Sequence, residues 1–148
     1  MQTRFRVFLA LAWAAAMFLS LGTSPAQEKK GAPAVVTSPK KGEEVEQTNQ
    51  VVGKLAKKES WPVILVRASN DTEWWVQPPI DEVKDGKFAG SAHFGREGMD
   101  QGDKYRIIIL VCPNKETAQD KFKDGDRMKS LPPSSRYGRS EQVEVVRK

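Results

Sequence analysis

Two continuous apolar runs, Trp61–Ala68 and residues 105–112, constrain the fold of this chain more than any other feature of its sequence. Both are rich in Val, Ile and Leu, and turn-forming residues bound them before either becomes long enough for a major helix. Such runs are typical of strands that are covered on both faces. We therefore expect two central strands that form a core, with Pro62 at the entry of the first, where no ladder donor is needed.

Shorter apolar segments accompany these runs, and turn signals rich in Gly, Pro, Asn and Asp separate them. Gly53 lies inside one segment and indicates a bulge or a close backbone approach. Residues 116–123 favour one or two helical turns. Val143 and Val145 face inward from the last segment, which we expect to be a closing edge strand. The additional strands are expected at residues 34–37, 51–56, 73–77, 87–94 and 141–147. About seven short strands predict an all-β fold, a two-sheet antiparallel β-sandwich rather than a small closed barrel.

The first 26 residues have the layout of an export signal. Arg4 and Arg6 form a positive start, residues 7–21 are apolar apart from one serine, and residues 24–26 are the small residues that a signal peptidase reads. We expect residues 1–26 to be a cleaved signal peptide, because the run is shorter than the ~20 residues that cross a bilayer. An uncleaved membrane anchor is the alternative.

Cleavage leaves a short charged segment, residues 27–33, which we expect to be a flexible leader, and a folded domain at residues 34–148. The mature protein is then secreted or periplasmic, with no stable insertion into a membrane. Its formal charge falls from +5 to +3, since two of the 24 basic residues are removed and the 19 acidic ones remain. The charges alternate in sign along the loops, as in residues 40–44, and this argues against nucleic acid as a partner.

Few residues of this chain suit catalysis or metal binding. Cys112 is the one cysteine, so no internal disulfide can form, and its apolar surroundings in the sequence indicate a buried hydrophobe; an intermolecular disulfide is the alternative. His93 and Cys112 are too few for a transition-metal site, and we expect no metal and no cofactor. Ser91 and His93 share a strand face, but a regular strand supplies no strained nucleophile and no oxyanion site, so we expect no catalytic residues and no enzymatic activity.

Calcium ligands are a separate question, because several acidic and amide side chains lie in loops. No twelve-residue calcium loop is present, and turn formation is the better explanation for these residues. The pairs in question are Asn70 with Asp71, Asp100 with Asp103, and Asp124 with Asp126.

The adjacent residues Trp74 and Trp75 carry the most information about binding. Successive strand residues point to opposite faces, so only one of the two can enter a given core layer. We expect the other to be covered by the loop at residues 77–83. If it is exposed instead, Trp75 becomes a binding platform, flanked by the polar residues Glu73 and Gln77.

The order of these segments resembles the immunoglobulin-like accessory domains of exported and envelope proteins in bacteria. The resemblance spans residues 35–111 and rests on Thr37-Ser38-Pro39, Gly42, Val45, Val51-Val52-Gly53, Trp61, Leu65-Val66-Arg67, Trp74-Trp75-Val76-Gln77, Asp85-Gly86-Lys87-Phe88, Phe94-Gly95 and Tyr105-Arg106-Ile107. It implies a non-catalytic module that binds an envelope or extracellular protein or has a structural role at the cell envelope. The alternative is a carbohydrate-binding module in which Trp75 carries a polysaccharide.

Overall fold

The computed structural model describes residues 31–148 of the chain. The predicted signal peptide, residues 1–26, and most of the predicted leader lie outside this part. Residues 31–148 form one short helix, α1 (Lys115–Lys121), and eleven strands. The strands are β1 (Ala34–Ser38), β2 (Glu44–Val45), β3 (Thr48–Leu55), β4 (Trp61–Ala68), β5 (Trp74–Val76), β6 (Val83–Lys84), β7 (Lys87–His93), β8 (Lys104–Cys112), β9 (Arg127–Met128), β10 (Gly138–Arg139) and β11 (Val143–Arg147).

The strands form two sheets that pack in two layers. The first sheet has the order β1-β3-β7-β6, and the second has the order β2-β11-β8-β4-β5-β9, with β10 also paired to β8. Strands β2 and β11 are parallel, and the other pairs within residues 31–148 are antiparallel. The all-β prediction is confirmed, and so are the two central strands, because β4 pairs with β8 along its whole length.

The second sheet is covered on both faces. Its inner face and the first sheet enclose the main core, which contains Ile64, Ile107 and Phe94. Its outer face carries a second apolar cluster, in which Leu65 and Leu110 pack under helix α1 and the segment that follows it. Alternate residues of β4 and β8 therefore enter two different cores, which explains why both sequences are continuously apolar.

Helix α1 is short because a capping residue directly precedes it and the chain becomes extended directly after it. The Asn114 side chain caps it by accepting the backbone N–H of Thr117 at 2.8 Å, and Phe122 leaves the helix in an extended conformation. Ala118 and Phe122 are buried against the second sheet. In the described part of the chain, no helix has the length and apolar character needed to cross a membrane.

The last strand differs from the prediction. Strand β11 is not an edge, because β2 pairs with it at Val146 and Arg147 and continues the sheet by one strand. The sequence offers no apolar alternation around β2 that would indicate this pairing. The predicted hairpin between the strands at Trp61–Ala68 and 73–77 is confirmed by the pairing of β4 with β5.

The sandwich has two different ends. The chain enters at the end where Ala34 pairs with Leu55, beside the turns at residues 56–60 and 85–86, and this will be called the entry end. The opposite end carries the long loop at residues 94–103 and the loop between β4 and β5. A cleft opens at that opposite end.

Candidate functional site

Trp75 lies at the mouth of a cleft of about 640 Å³ that continues the space between the two sheets. Trp75 pairs with Val66 across β4 and β5, so both side chains point toward the first sheet, whereas Trp74 is buried in the cluster on the other face. The first sheet does not cover Trp75, which is 37% exposed. The expected division of the two tryptophans between opposite faces is confirmed.

The cover expected for Trp75 from residues 77–83 is not what the structure shows. Ile80 turns into the main core and is 2% exposed. Room for it comes from Gly90, where an added Cβ would lie 2.8 Å from Ile64 and from Ile80. The loop thus closes the sandwich next to Trp75 and leaves the indole accessible from the cleft.

Arg127 covers part of Trp75 instead. Its guanidinium carbon lies 4.0 Å from the centre of the indole ring, a cation–π contact. Arg127 also pairs with Glu73, Nη1 to Oε2, at 3.8 Å. Glu73, Arg127 and Trp75 thus form a stack in which the guanidinium lies over the indole ring and contacts the carboxylate.

The floor of the cleft joins the two sheets through Gln77. The Oε1 atom of Gln77 accepts the backbone N–H of His93 at 2.7 Å, and its Nε2 donates to the carbonyl of Trp75 at 3.2 Å. Gln77 is 6% exposed, so these bonds replace water that the buried amide would otherwise require. The His93 ring lies at the surface, with Nδ1 at 3.0 Å from Oγ1 of Thr48.

One wall of the cleft is the loop at residues 94–103, which has a defined shape. Asp100 accepts the Arg96 backbone N–H at 2.8 Å and pairs with the Arg96 side chain at 3.3 Å. The same contacts with Arg96 lower the pKa of the Asp100 carboxyl. Gly95 has a φ of +76°, and a Cβ at this position would contact both Tyr105 and Asp100, so no other residue fits there without displacement.

Asp71 shapes the opposite wall. Its carboxylate accepts the backbone N–H groups of Thr72 at 2.6 Å and Glu73 at 3.2 Å, an Asx turn of the kind expected for this residue. Hydrogen bonding from Glu73 and then from Thr72 lowers the pKa of Asp71, and the indole N–H of Trp75 adds to the effect. The turn that positions β5 and the charge beside Trp75 therefore depend on the same carboxylate.

Two of the three residues predicted for a binding platform line the cleft. Trp75 and Gln77 do so, and Glu73 lies outside it, where it holds Arg127. The sequence did not show that acidic and amide side chains from three separate turns meet around Trp75. These side chains are Asn70, Asp71, Asp100, Asp103 and Asp124.

The other chemical candidates are placed as follows. Ser91 is on the exposed face of β7 and does not line the cleft, whereas His93 does. Cys112 is fully buried, as expected, and burial raises the pKa of its thiol to about 12. Among residues 31–148, no three His, Cys, Asp or Glu side chains are arranged to hold a metal ion together.

Comparisons of the chain with protein-family models, with curated proteins and with solved structures found no match.

Proposed function

We propose that this chain is an exported, non-catalytic, immunoglobulin-like module that binds a saccharide in the cleft at Trp75. The observation that carries the proposal is an accessible indole, 37% exposed, at the mouth of a cleft of about 640 Å³. Volumes of ~300–1,000 Å³ are typical of small-ligand sites. Export rests on the sequence pattern of residues 1–26 alone.

The strand orders support the immunoglobulin-like assignment. The order β1-β3-β7-β6 corresponds to the A-B-E-D sheet of such domains, and β11-β8-β4-β5 corresponds to G-F-C with an added C′ strand. Tyr105 is the second residue of β8, near the place where many of these domains have a tyrosine at the start of strand F. Helix α1 and strands β9 and β10 are then an insertion between the last two strands, and this insertion supplies Asp124 and Arg127 to the site.

The chemistry of the cleft suits a sugar. An indole face packs against the C–H groups of a pyranose ring, and carboxylate and amide groups at its edge bind the hydroxyl groups. Asp103 and Asp124 line the cleft and form no ion pair with any residue in the described part of the chain. Their oxygens are therefore available as acceptors without loss of an existing ion pair.

Protein binding is the second candidate, and the stack of Glu73, Arg127 and Trp75 favours it. Tryptophan and arginine are the residue types that most often dominate the energy of a protein interface. In this alternative an envelope or extracellular protein would contact the outer side of the stack, and the cleft would receive one of its side chains.

The test is binding of soluble polysaccharides, followed by tryptophan fluorescence and by isothermal titration calorimetry. Trp75→Ala should weaken binding by about tenfold or more, as for an aromatic residue at the centre of a binding site. Val35→Ala is the matched control, since Val35 is also an exposed hydrophobic residue, 52% accessible, but lies at the entry end. It should bind as the wild type does.

Two results would contradict the saccharide proposal. One is the absence of a response to a panel that contains neutral, acidic and amino sugars. The other is equal affinity of the Trp75→Ala and wild-type chains. Co-purification of an envelope protein that is lost in Arg127→Ala would then favour the second candidate.

A further inference from the structure

A row of lysines crosses the first sheet at the entry end. Lys54 of β3 pairs directly with Lys87 of β7, and Lys87 pairs with Lys84 of β6. Residues that face each other across antiparallel strands point to the same side, so the three ammonium groups share the outer face of the sheet. All three side chains are exposed. On the other side of Lys54 the row continues with Val35 of β1, which is 52% exposed.

In the part of the chain that the structure describes, no carboxylate forms an ion pair with a lysine of this row. Glu59, Glu82 and Asp85 belong to the same end, yet within residues 31–148 none of them forms an ion pair with a lysine of the row. Like charges directly opposite each other destabilise a sheet. Repulsion within the row costs the fold stability, and this points to a negatively charged partner outside the domain.

Two further lysines enlarge the charged surface. Lys57 and Lys58 lie in the turn between β3 and β4, and Lys58 packs against the turn at Gly86, 3.5 Å from the position of an added Cβ there. The surface formed by Lys54, Lys57, Lys58, Lys84 and Lys87 will be called the lysine end. It lies opposite the cleft, so it is independent of the saccharide proposal.

We propose that the lysine end binds the anionic headgroups of a lipid bilayer. Charge complementarity is the first argument, because clustered lysines are attracted to the negative potential of such a surface. The route of the chain is the second. Ala34 enters the domain beside Leu55 and Lys54, and twelve residues (22–33) separate it from the apolar run at 7–21. Fully extended, these residues reach at most about 40 Å.

The short connection favours a bilayer over a dissolved polyanion as the partner. Whenever the apolar run occupies a membrane, during export or as a retained anchor, the entry end lies within about 40 Å of the bilayer surface. Val35 then joins the lysines at the headgroup level, as an apolar residue within a basic surface. The cleft at the opposite end faces away from the membrane.

The experiment uses the full chain and two kinds of vesicle, one of phosphatidylcholine alone and one that also contains phosphatidylglycerol. Any contribution of the apolar run is present with both, so the ratio of the two affinities reports the charges. The triple variant Lys54→Gln, Lys84→Gln, Lys87→Gln should lose about a hundredfold in affinity for the anionic vesicles, about fivefold for each lysine. Raising the salt from about 0.1 M to about 1 M should remove the preference, because the Debye length falls from ~10 Å to ~3 Å.

The matched control is a triple variant with the same change in charge elsewhere, Lys41→Gln, Lys123→Gln, Lys129→Gln, all exposed and outside any ion pair of the described residues. It should lose less than about fivefold, the contribution of a single lysine. Equal losses in the two triple variants would overturn the proposal, and so would equal affinity of the wild type for both vesicles. Tighter binding of soluble polyphosphate than of anionic vesicles at the same phosphate concentration, lost in the first triple variant, would assign the surface to a dissolved polyanion and overturn the proposal. The triple variant Lys54→Gln, Lys84→Gln, Lys87→Gln should fold, because removal of the like-charge row should raise the melting temperature.

Discussion

Gly53→Ala tests the packing of the main core at a single methyl group. Gly53 lies in β3 directly opposite Phe88 of β7, and both face the core. A Cβ on Gly53 would lie 2.8 Å from Cε1 of Phe88 and 2.7 Å from the carbonyl oxygen of Val35, whereas ordinary contacts begin near 3.4 Å. The ring and a neighbouring strand would both have to move by 3.4 − 2.8 = 0.6 Å or more. Phe88 is 3% exposed and surrounded by core residues, so this movement is opposed from every side.

The magnitude follows from two opposing effects. One excess methyl group in a packed core costs about 1–3 kcal/mol. Alanine in a strand returns about 0.5–1 kcal/mol of the entropy that glycine loses on folding. The contacts of 2.7 and 2.8 Å place this substitution in the upper half of the first range, about 2–3 kcal/mol, so a net loss of about 1–2.5 kcal/mol remains. With an unfolding entropy of about 2.1 cal/mol/K per residue over residues 34–148, each kcal/mol lowers the melting temperature by about 4 °C.

The assay is urea unfolding followed by tryptophan fluorescence, with thermal unfolding as a second measurement. Gly31→Ala is the control, since nothing lies within 4 Å of its added Cβ, and its stability should change by less than about 0.5 kcal/mol. Phe88→Leu in the Gly53→Ala background should recover part of the loss, with a coupling of about 1 kcal/mol in the double-mutant cycle. A Gly53→Ala chain as stable as the wild type would refute the reasoning.

Three further predictions concern single groups. Ser140→Ala should lower the free energy of unfolding by about 1–3 kcal/mol, because the Ser140 Oγ accepts the buried N–H of Ile109 at 2.9 Å. Urea unfolding measures this loss, and an unchanged free energy of unfolding would contradict the prediction. Cys112 should not react with a thiol reagent at pH 8 in the folded chain and should react fully in denaturant, since burial raises its pKa to about 12. Rapid labelling of the native protein would contradict this prediction. Asp71→Ala should destabilise the domain near neutral pH, and the difference in stability from the wild type should shrink as the pH falls below 3.8. A carboxyl whose pKa is lowered by folding stabilises the folded state above its unfolded pKa, and this stabilisation is lost as the pH falls through the folded pKa. Unfolding curves at several pH values test this, and a difference that is constant with pH would contradict it.

The strands that could be predicted from the sequence are those in which the pattern of apolar residues matches the pattern of burial. The central parts of β4 and β8, residues 61–66 and 107–112, are continuously apolar because each face meets a core, and β7 alternates because only one of its faces does. The two-residue strands β2, β6, β9 and β10 carry no such pattern. They exist because tertiary packing brings two short backbone segments into register, and local sequence does not encode that.

Of the candidate binding site, only the central residue, Trp75, could be predicted from the sequence. Trp75 could be found because alternation separates it from Trp74, but Arg127 is remote in sequence and reaches it through the pairing of β5 with β9. The sequence predicts turn formation for the acidic side chains around the cleft, and Asp71 does form a turn. Their convergence depends on where three turns end in the folded sandwich, which no spacing in the sequence specifies.

The two proposed surfaces should act independently, because the fold separates them by more than the range of their charges. Strand β3 has eight residues and leads away from Lys54 and the entry end. Lys54 lies six residues from Thr48, whose partner His93 lines the cleft; at about 3.3 Å per residue this is about 20 Å, more than twice the Debye length of about 8 Å at physiological salt. The carboxylates around Trp75 therefore neither weaken the attraction of the lysine end to an anionic surface nor feel that surface themselves. Affinity for a saccharide in the cleft should be the same for the vesicle-bound chain as for the chain in solution, so each proposal can fail without the other.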